Sequence, residues 1–344
     1  MTVDPGRRVT PVVRLAPAKL NLTLAVVGRR PDGYHAIHSV MAPLDLADRL
    51  SLTPDPSPGA TDTLRVVGFD AGPLDDNLVL HALAATRLAI RTHARDVPPA
   101  LAVRLDKRIP VAAGLAGGSS DAAAAIDGGL EAWAATDVLS AAERSALAAS
   151  IGSDVPFFLS GGPALVEGRG ERVTPLRGLE FGADERAPGL LLVTPAIAAH
   201  TAIVFAAWSD GAMGQPGVAA RSSEHFAAEF GSGLSARRLL ERAGVLAAAN
   251  DLLPAAAAVV DGLVSFRRAL TRLLNRPIGL SGSGPTLWAL YPSLDGADLA
   301  AAAVRAAVET GFIRAPGDGP PFVAATTFLI SPAPLIELDD RRDP

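Results

Sequence analysis

The stretch RIPVAAGLAGGSSDAAAAIDGG, residues 108–129, leaves the chain few ways to fold. A strand-like run, ALAVRLDK, enters it from residues 100–107, and an alanine-rich run of helical composition leaves it. Between them lie Pro110, Gly114, Gly117 and Gly118, followed by Ser119, Ser120 and Asp121. A strand must therefore stop, turn on glycines and start a helix. Glycines let backbone N–H groups approach a ligand closely, serines cap helix starts, and a helix N-terminus carries about half a positive charge. Together these make an anion site, for which phosphate is the usual occupant. A glycine-rich turn with no ligand is the competing reading. The stretch is neither G-x-x-x-x-G-K-[ST] nor G-x-G-x-x-G. Ala112, Ala113 and Ala116 stand among the glycines and are expected to keep negative φ.

Lysine points to a second site. Of 31 Lys plus Arg, only Lys19 and Lys107 are lysine, so 29 are arginine. An ammonium is a compact charge whose pKa responds to burial, whereas a guanidinium is a broad, permanently charged fork. Both lysines are therefore expected at chemistry. In APAKLNLTLAVV, strand alternation puts Leu20, Leu22, Leu24 and Val26 on one face and Lys19, Asn21 and Thr23 on the other. A solvated sheet face is the plainer alternative.

Three more segments stand out. In GRRPDGYH, Pro31-Asp32-Gly33 is a turn that projects Tyr34 and His35. In IGSDVPFF, Asp154 follows a helix and suits either a general base or a turn aspartate bonded to its own backbone. In GLSGSGPT, Gly282 and Gly284 flank Ser283, so two backbones meet there or a tight hairpin forms.

Composition narrows the classes. No cysteine is present, so disulfides, thiolate metal sites and cysteine nucleophiles are excluded. The six histidines lack zinc-site spacing, and a net charge of −5 argues against a nucleic-acid partner. No run of about 18–20 apolar residues suggests a membrane span, and no secretory h-region is seen, so a cytoplasmic protein is expected.

Strands are expected over 12–27, 48–55, 62–69, 100–110, 190–194, 286–292 and 322–330. Helices are expected over 77–93 (with Leu80, Leu83, Leu88 and Ile90 near one face), 119–135, 140–152, 199–208, 235–248, 255–275 and 296–310. Ser140 and Glu143 form an S-x-x-E capping box. Residues 52–62 read as a connection, 209–224 as a loop or insertion, and 1–10 and 335–344 as tails. The mixture without a βαβ rhythm indicates α+β.

Taken in order, PAKLNL, DGYH, GLAGGSSDAA, SDVPFF and GSGPT resemble the GHMP kinase superfamily over residues 12–332. DGYH after the first strand is similar to the branch that acts on 4-diphosphocytidyl-2-C-methyl-D-erythritol. The resemblance implies a two-domain fold: an ATP-binding half similar to ribosomal protein S5 domain 2 over 10–165, and a ferredoxin-like half over 166–334. It implies ATP and Mg²⁺ as cofactors, a small-molecule diphosphocytidyl substrate phosphorylated on its 2-hydroxyl, and a monomer or homodimer. It implies that Lys19 and Asp154 form the catalytic pair. Pro110, Val111, Ala112, Ala113, Gly114, Leu115, Ala116, Gly117, Gly118, Ser119 and Ser120 would cradle phosphate, with Asn77 and Lys107 on the adenine side. Asn21, Tyr34, His35, Thr201, Phe205 and Ser283 would contact substrate, with Tyr34 and Phe205 sandwiching the cytosine. DGYH weighs against homoserine or mevalonate-pathway kinases, and glycine spacing against a Rossmann dehydrogenase. A catalytically silent nucleotide-binding module is the alternative of a different class.

Overall fold

β1 (Val12–Asn21) pairs antiparallel with the 21-residue β3 (His35–Asp55). The register shifts between Pro17 and Lys19, where proline offers no N–H to the ladder. The computed structural model describes residues 10–93, 98–180, 186–210 and 218–329. β2 (Ala25–Arg29) hairpins onto the start of β3 through the Pro31-Asp32-Gly33 turn. β4 (Thr63–Gly68) lies parallel to β5 (Ala100–Lys107), and α1 (Leu78–His93) makes the crossover. β6 (Ala164–Gly168) and β7 (Arg172–Pro175) complete a seven-stranded sheet of order β4-β5-β3-β6-β7, with β1 and β2 also on β3. The sheet thus continues past residue 165 to Pro175.

α2 (Gly117–Ala132), α3 (Ala141–Ile151) and the short α4 (Val155–Leu159) complete this half. Leu50, Leu52, Leu83, Leu101 and Ile126 are fully buried in its core. Each such side chain contributes roughly 1.5–3 kcal/mol. The capping box of Ser140 and Glu143 forms, with the Ser140 hydroxyl accepting from the Glu143 amide. On α1 the buried set is Val79, Ala82, Leu83, Thr86 and Ile90, while Leu88 is 63% exposed. Leu88 was expected beside Leu83, but five residues along a helix turn it to the other side.

The expected continuous strand over 12–27 is broken. Over Leu22–Leu24 the ladder to β3 is interrupted: the Leu22 and Thr23 amides both turn to the Val40 carbonyl, and the Leu24 amide donates to the Ala249 carbonyl at 2.7 Å. Consequently Leu20 and Leu22 join one apolar cluster and Leu24 and Val26 another.

The second half begins with β8 (Leu179–Glu180), β9 (Gly189–Thr194), α5 (Thr201–Asp210), α6 (Val218–Gly231) and β10 (Leu234–Ser235). There follow α7 (Ala236–Glu241), α8 (Ala243–Ala248), α9 (Leu253–Val259), α10 (Leu263–Leu274), β11 (Gly279–Leu280), β12 (Leu287–Tyr291), α11 (Leu294–Glu309) and β13 (Phe322–Thr327). Four strands form an antiparallel sheet of order β11-β12-β9-β13, and β9 to β13 follow the ferredoxin-like strand order. β8 and β10 make a separate two-residue parallel pair.

The expected single helices at 235–248 and 255–275 are each two, broken at Arg242 and at 260–262. Of the expected loop at 209–224, residues 218–224 are helix α6 and 211–217 lie outside the described residues. Of the expected tails 1–10 and 335–344, residues 1–9 and 335–344 also lie outside them.

Candidate active site

A cavity of about 1110 Å³ opens between the two halves. Its lining comes from the loop Pro110–Ala116 with the first turn of α2, from the loop 281–284, from the β2–β3 turn and from α5. It is lined by Lys19, Asn21, Tyr34, His35, Asn77, Lys107, Asp154, Thr201, Phe205 and Ser283. Of the phosphate-loop residues, Pro110 to Gly114 and Ala116 to Ser119 line it. Leu115 and Ser120 do not: Leu115 is fully buried in an apolar cluster, and Ser120 is turned inside.

The loop holds its shape differently from the expectation. Ala112 and Ala116 have φ of 53° and 54°, in the left-handed region, and Ala113 alone is outside it. Ala116, not a serine, stands at the N-cap of α2 and makes no side-chain cap. The free amides of that first turn thus have no side-chain cap, which is the state an anion site needs. Gly114 (φ +76°) is one place where the two halves touch closely, for a Cβ there would lie 2.3 Å from the Ser281 carbonyl oxygen. The GSGP segment therefore both turns a hairpin and brings a second backbone against the first loop: the Thr286 amide donates to Ala113 O at 3.3 Å.

Lys19 sits at this junction, 3% exposed. Its ammonium donates to Asn21 Oδ1 at 2.5 Å and Gly114 O at 2.8 Å, and stands 3.9 Å from Asp154 Oδ2. Two of its three protons are thus committed, and the third faces a carboxylate just beyond hydrogen-bond range. Burial pulls the Lys19 pKa below the ordinary lysine value, and the Asp154 charge opposes that fall. Asn21 is held in turn, donating to Ser39 Oγ at 2.8 Å. Asp154 heads α4 without capping it, so the turn-aspartate reading fails and its carboxylate, 29% exposed, stays available to the cavity.

At the other end of the cavity His35 stacks on Phe205, ring centroids 5.2 Å apart, and bonds Ser209 Oγ at 2.6 Å. Burial, then Arg29, holds the His35 pKa down. Tyr34 is half exposed, and the Arg169 guanidinium lies 5.4 Å from its ring centroid. Thr201 and Ser283 hydroxyls meet at 3.0 Å. Asn77 lines the cavity while its Oδ1 caps α1, accepting from the Val79 amide at 3.0 Å.

Lys107 was expected to reach toward adenine. Its ammonium is instead clamped between Asp48 and Asp121. The sequence reading missed Arg169 and Asp48, which carry no local pattern and acquire meaning only through strand pairing and the turn after β6.

The fold and the glycine loop beside a Lys–Asp pair define a small-molecule kinase of the GHMP type. Residues 77–162 match the model of the GHMP kinases N terminal domain. The chain is 37% identical over 294 residues to the 4-diphosphocytidyl-2-C-methyl-D-erythritol kinase of Pelotomaculum thermopropionicum, covering 86% of this chain and 94% of that one. It is 39% identical over 297 residues to the enzyme of that name from Methylorubrum extorquens strain PA1, covering 85% and 94%. A crystal structure of 4-(cytidine 5'-diphospho)-2C-methyl-D-erythritol kinase superposes with TM-score 0.62 at 31% identity, over 92% of this chain and 99% of that one. The mevalonate kinase of L. major, at 16% identity and TM-score 0.62 over 95% of this chain and 98% of that one, shares the fold. The chain belongs to the family of 4-diphosphocytidyl-2-C-methyl-D-erythritol kinases.

Proposed function

We infer that this chain transfers the γ-phosphoryl group of ATP to the 2-hydroxyl of 4-diphosphocytidyl-2-C-methyl-D-erythritol, a step toward isoprenoid precursors. The observation that carries the reading is the Lys19–Asp154 pair beside an uncapped helix start in one cavity. Asp154 accepts the proton of the attacking hydroxyl as the O–P bond forms. The 3.9 Å gap between the two groups leaves the ammonium proton and the carboxylate free to hold that hydroxyl between them. Lys19 cannot swing away, because Asn21 and the Gly114 carbonyl fix it. The loop amides and the α2 N-terminus take up charge that develops on the transferred group.

Mg²⁺ fits this donor set as a companion of the nucleotide. No group of three or more acidic or histidine side chains able to hold a metal occurs among the described residues. Mg²⁺ commonly keeps several waters and binds largely through substrate phosphates, so the nucleotide itself would supply most of its ligands. When bound it would neutralise phosphate charge.

Tyr34 and Phe205 offer ring faces for cytosine, with Arg169 backing Tyr34 and His35 already stacked on Phe205. Thr201 and Ser283 supply hydroxyls toward the diphosphate. The ATP-binding half is drawn from residue 10 to the end of the first sheet, and the substrate-side half follows. The chain is proposed to act as a monomer or a homodimer. No described helix is long and apolar enough to cross a membrane, and the cytoplasm is the proposed compartment.

The test is ADP release by the purified chain with ATP and, separately, the diphosphocytidyl substrate, homoserine or mevalonate. Turnover only with the first is expected. Turnover with either of the others in its place, or nucleotide binding with no turnover, rejects the reading.

A further inference from the structure

Beneath the phosphate loop lies a buried charge cluster that the phosphoryl-transfer scheme does not use. Asp48 from β3, Lys107 from β5 and Asp121 from α2 are exposed by 0%, 5% and 2%. The Lys107 ammonium bonds Asp48 Oδ2 and, at 2.7 Å, Asp121 Oδ2. It also presses on the helix start, for a Cβ on Gly117 would lie 2.8 Å from Lys107 Nζ. The two carboxylates are not equivalent. Asp48 Oδ1 accepts the amides of Arg108 and, at 2.8 Å, Ile109, so all its charge is hydrogen-bonded. Asp121 Oδ1 is buried with no partner, and so is the neighbouring Ser120 Oγ. Asp121 and Lys107 line the cavity wall.

One cation between two carboxylates leaves a net charge of −1, out of water, beside the place where a polyphosphate must sit. Water screens such repulsion poorly at a buried site. A proton on the under-bonded carboxylate removes it.

We propose that Asp121 is a positioning residue for the nucleotide site, which holds Lys107 under the first turn of α2 and gains a proton from solvent when the polyphosphate enters. This rests on the nucleotide reading of the loop given above. A single O–H bond forms on Asp121 and no other bond changes. The charged groups that face Asp121 are Lys107 and Asp48. Burial first, and then Asp48, raises its pKa to about 7, against the lowering by Lys107. The free site therefore loses this proton as pH rises through about 7, while the occupied site keeps it. The occupied state binds more protons, so affinity must fall as pH rises.

The test is calorimetric titration of the full chain with the Mg²⁺ complex of a β,γ-imido ATP analogue, from pH 6 to 8.5, in two buffers of different ionisation heat. The wild-type chain is expected to take up a fraction of a proton that grows above pH 7. Its affinity is expected to fall by up to about tenfold per pH unit there. Asp121→Asn keeps a partner for Lys107 but has no proton to gain. Asp48→Asn leaves one carboxylate per ammonium, so Asp121 stays ionised. Either variant should lose the extra uptake, and Asp121→Asn should show a flatter pH dependence of KM for ATP. The ligand's own protons cancel in the comparison with wild type. Equal uptake in wild type and in either folded variant overturns the proposal, as does a loss of kcat at every pH with an unmoved profile. Failure to bind the analogue at all overturns the nucleotide reading with it, whereas binding without differential uptake overturns this inference alone.

Discussion

Lys19 shows why one residue type is demanded at one atom's position. Its ammonium fits between Asn21 Oδ1 and Gly114 O, and a Cβ on Gly282 would lie only 3.1 Å from it. A guanidinium is longer and forked, so Lys19→Arg must push aside the loop or the carboxylate. We expect it to lose more than tenfold in kcat, or about 1.4 kcal/mol of barrier, and to approach Lys19→Ala. Retention of more than a tenth of wild-type kcat rejects this account. Asp154→Asn should keep ATP binding and lose about 10²–10⁴ in kcat, read by equilibrium binding beside turnover. Burial lowers the Lys19 pKa, so the ammonium is lost before the ordinary lysine range is reached. The alkaline limb of kcat is therefore expected below 10.5, the ordinary lysine value.

At the scale of the element, the loop into α2 stores strain that its composition did not announce. Alanine was expected to refuse positive φ, yet Ala112 and Ala116 adopt it. The reason is that the loop is pinned at both ends, by Asp48 to the amides of Arg108 and Ile109 and by the Gly114 contact with residue 281. A left-handed L-residue costs roughly 1–2 kcal/mol, and glycine escapes most of that at some entropic cost. Ala116→Gly should therefore stabilise the fold by about 0.5–1 kcal/mol in denaturant unfolding. A destabilised variant would mean the Ala116 methyl packs better than its backbone suggests.

At the scale of the whole molecule, the site exists because the two sheets share one apolar cluster, in which Leu20, Leu22 and Val40 pack among Leu190, Trp288 and Leu290, and because polar bonds fix the loops at its edge. Asn250, 7% exposed, donates to Leu280 O at 2.9 Å and Gly282 O at 3.0 Å and accepts from the Leu252 amide at 2.9 Å. Beside it the Val26 amide donates to Asp251 Oδ2 at 2.9 Å. Asn250→Ala strands buried carbonyls at about 1–3 kcal/mol and frees the loop that carries Ser283. A lower Tm with higher KM for both substrates is expected; a Tm loss with unchanged KM would separate the lock from the site. None of these polar locks was legible in the sequence, because Asn250 and Asp251 carry no local pattern. The strand–loop–helix around residue 110, the capping box at Ser140 and the helix over 78–93 were legible, since periodicity and glycine placement act over a few residues. Lys19 and Asp154 were legible as candidates through rarity and motif. Their separation, the burial that tunes Lys19 and the clamping of Lys107 by two aspartates were not. By itself the sequence determined which segments become strand, loop and helix, and which residue types could do chemistry, because those are short-range preferences of each residue. Only the tertiary structure decided that two lysines have different duties, because burial and charge pairing depend on partners brought from distant parts of the chain.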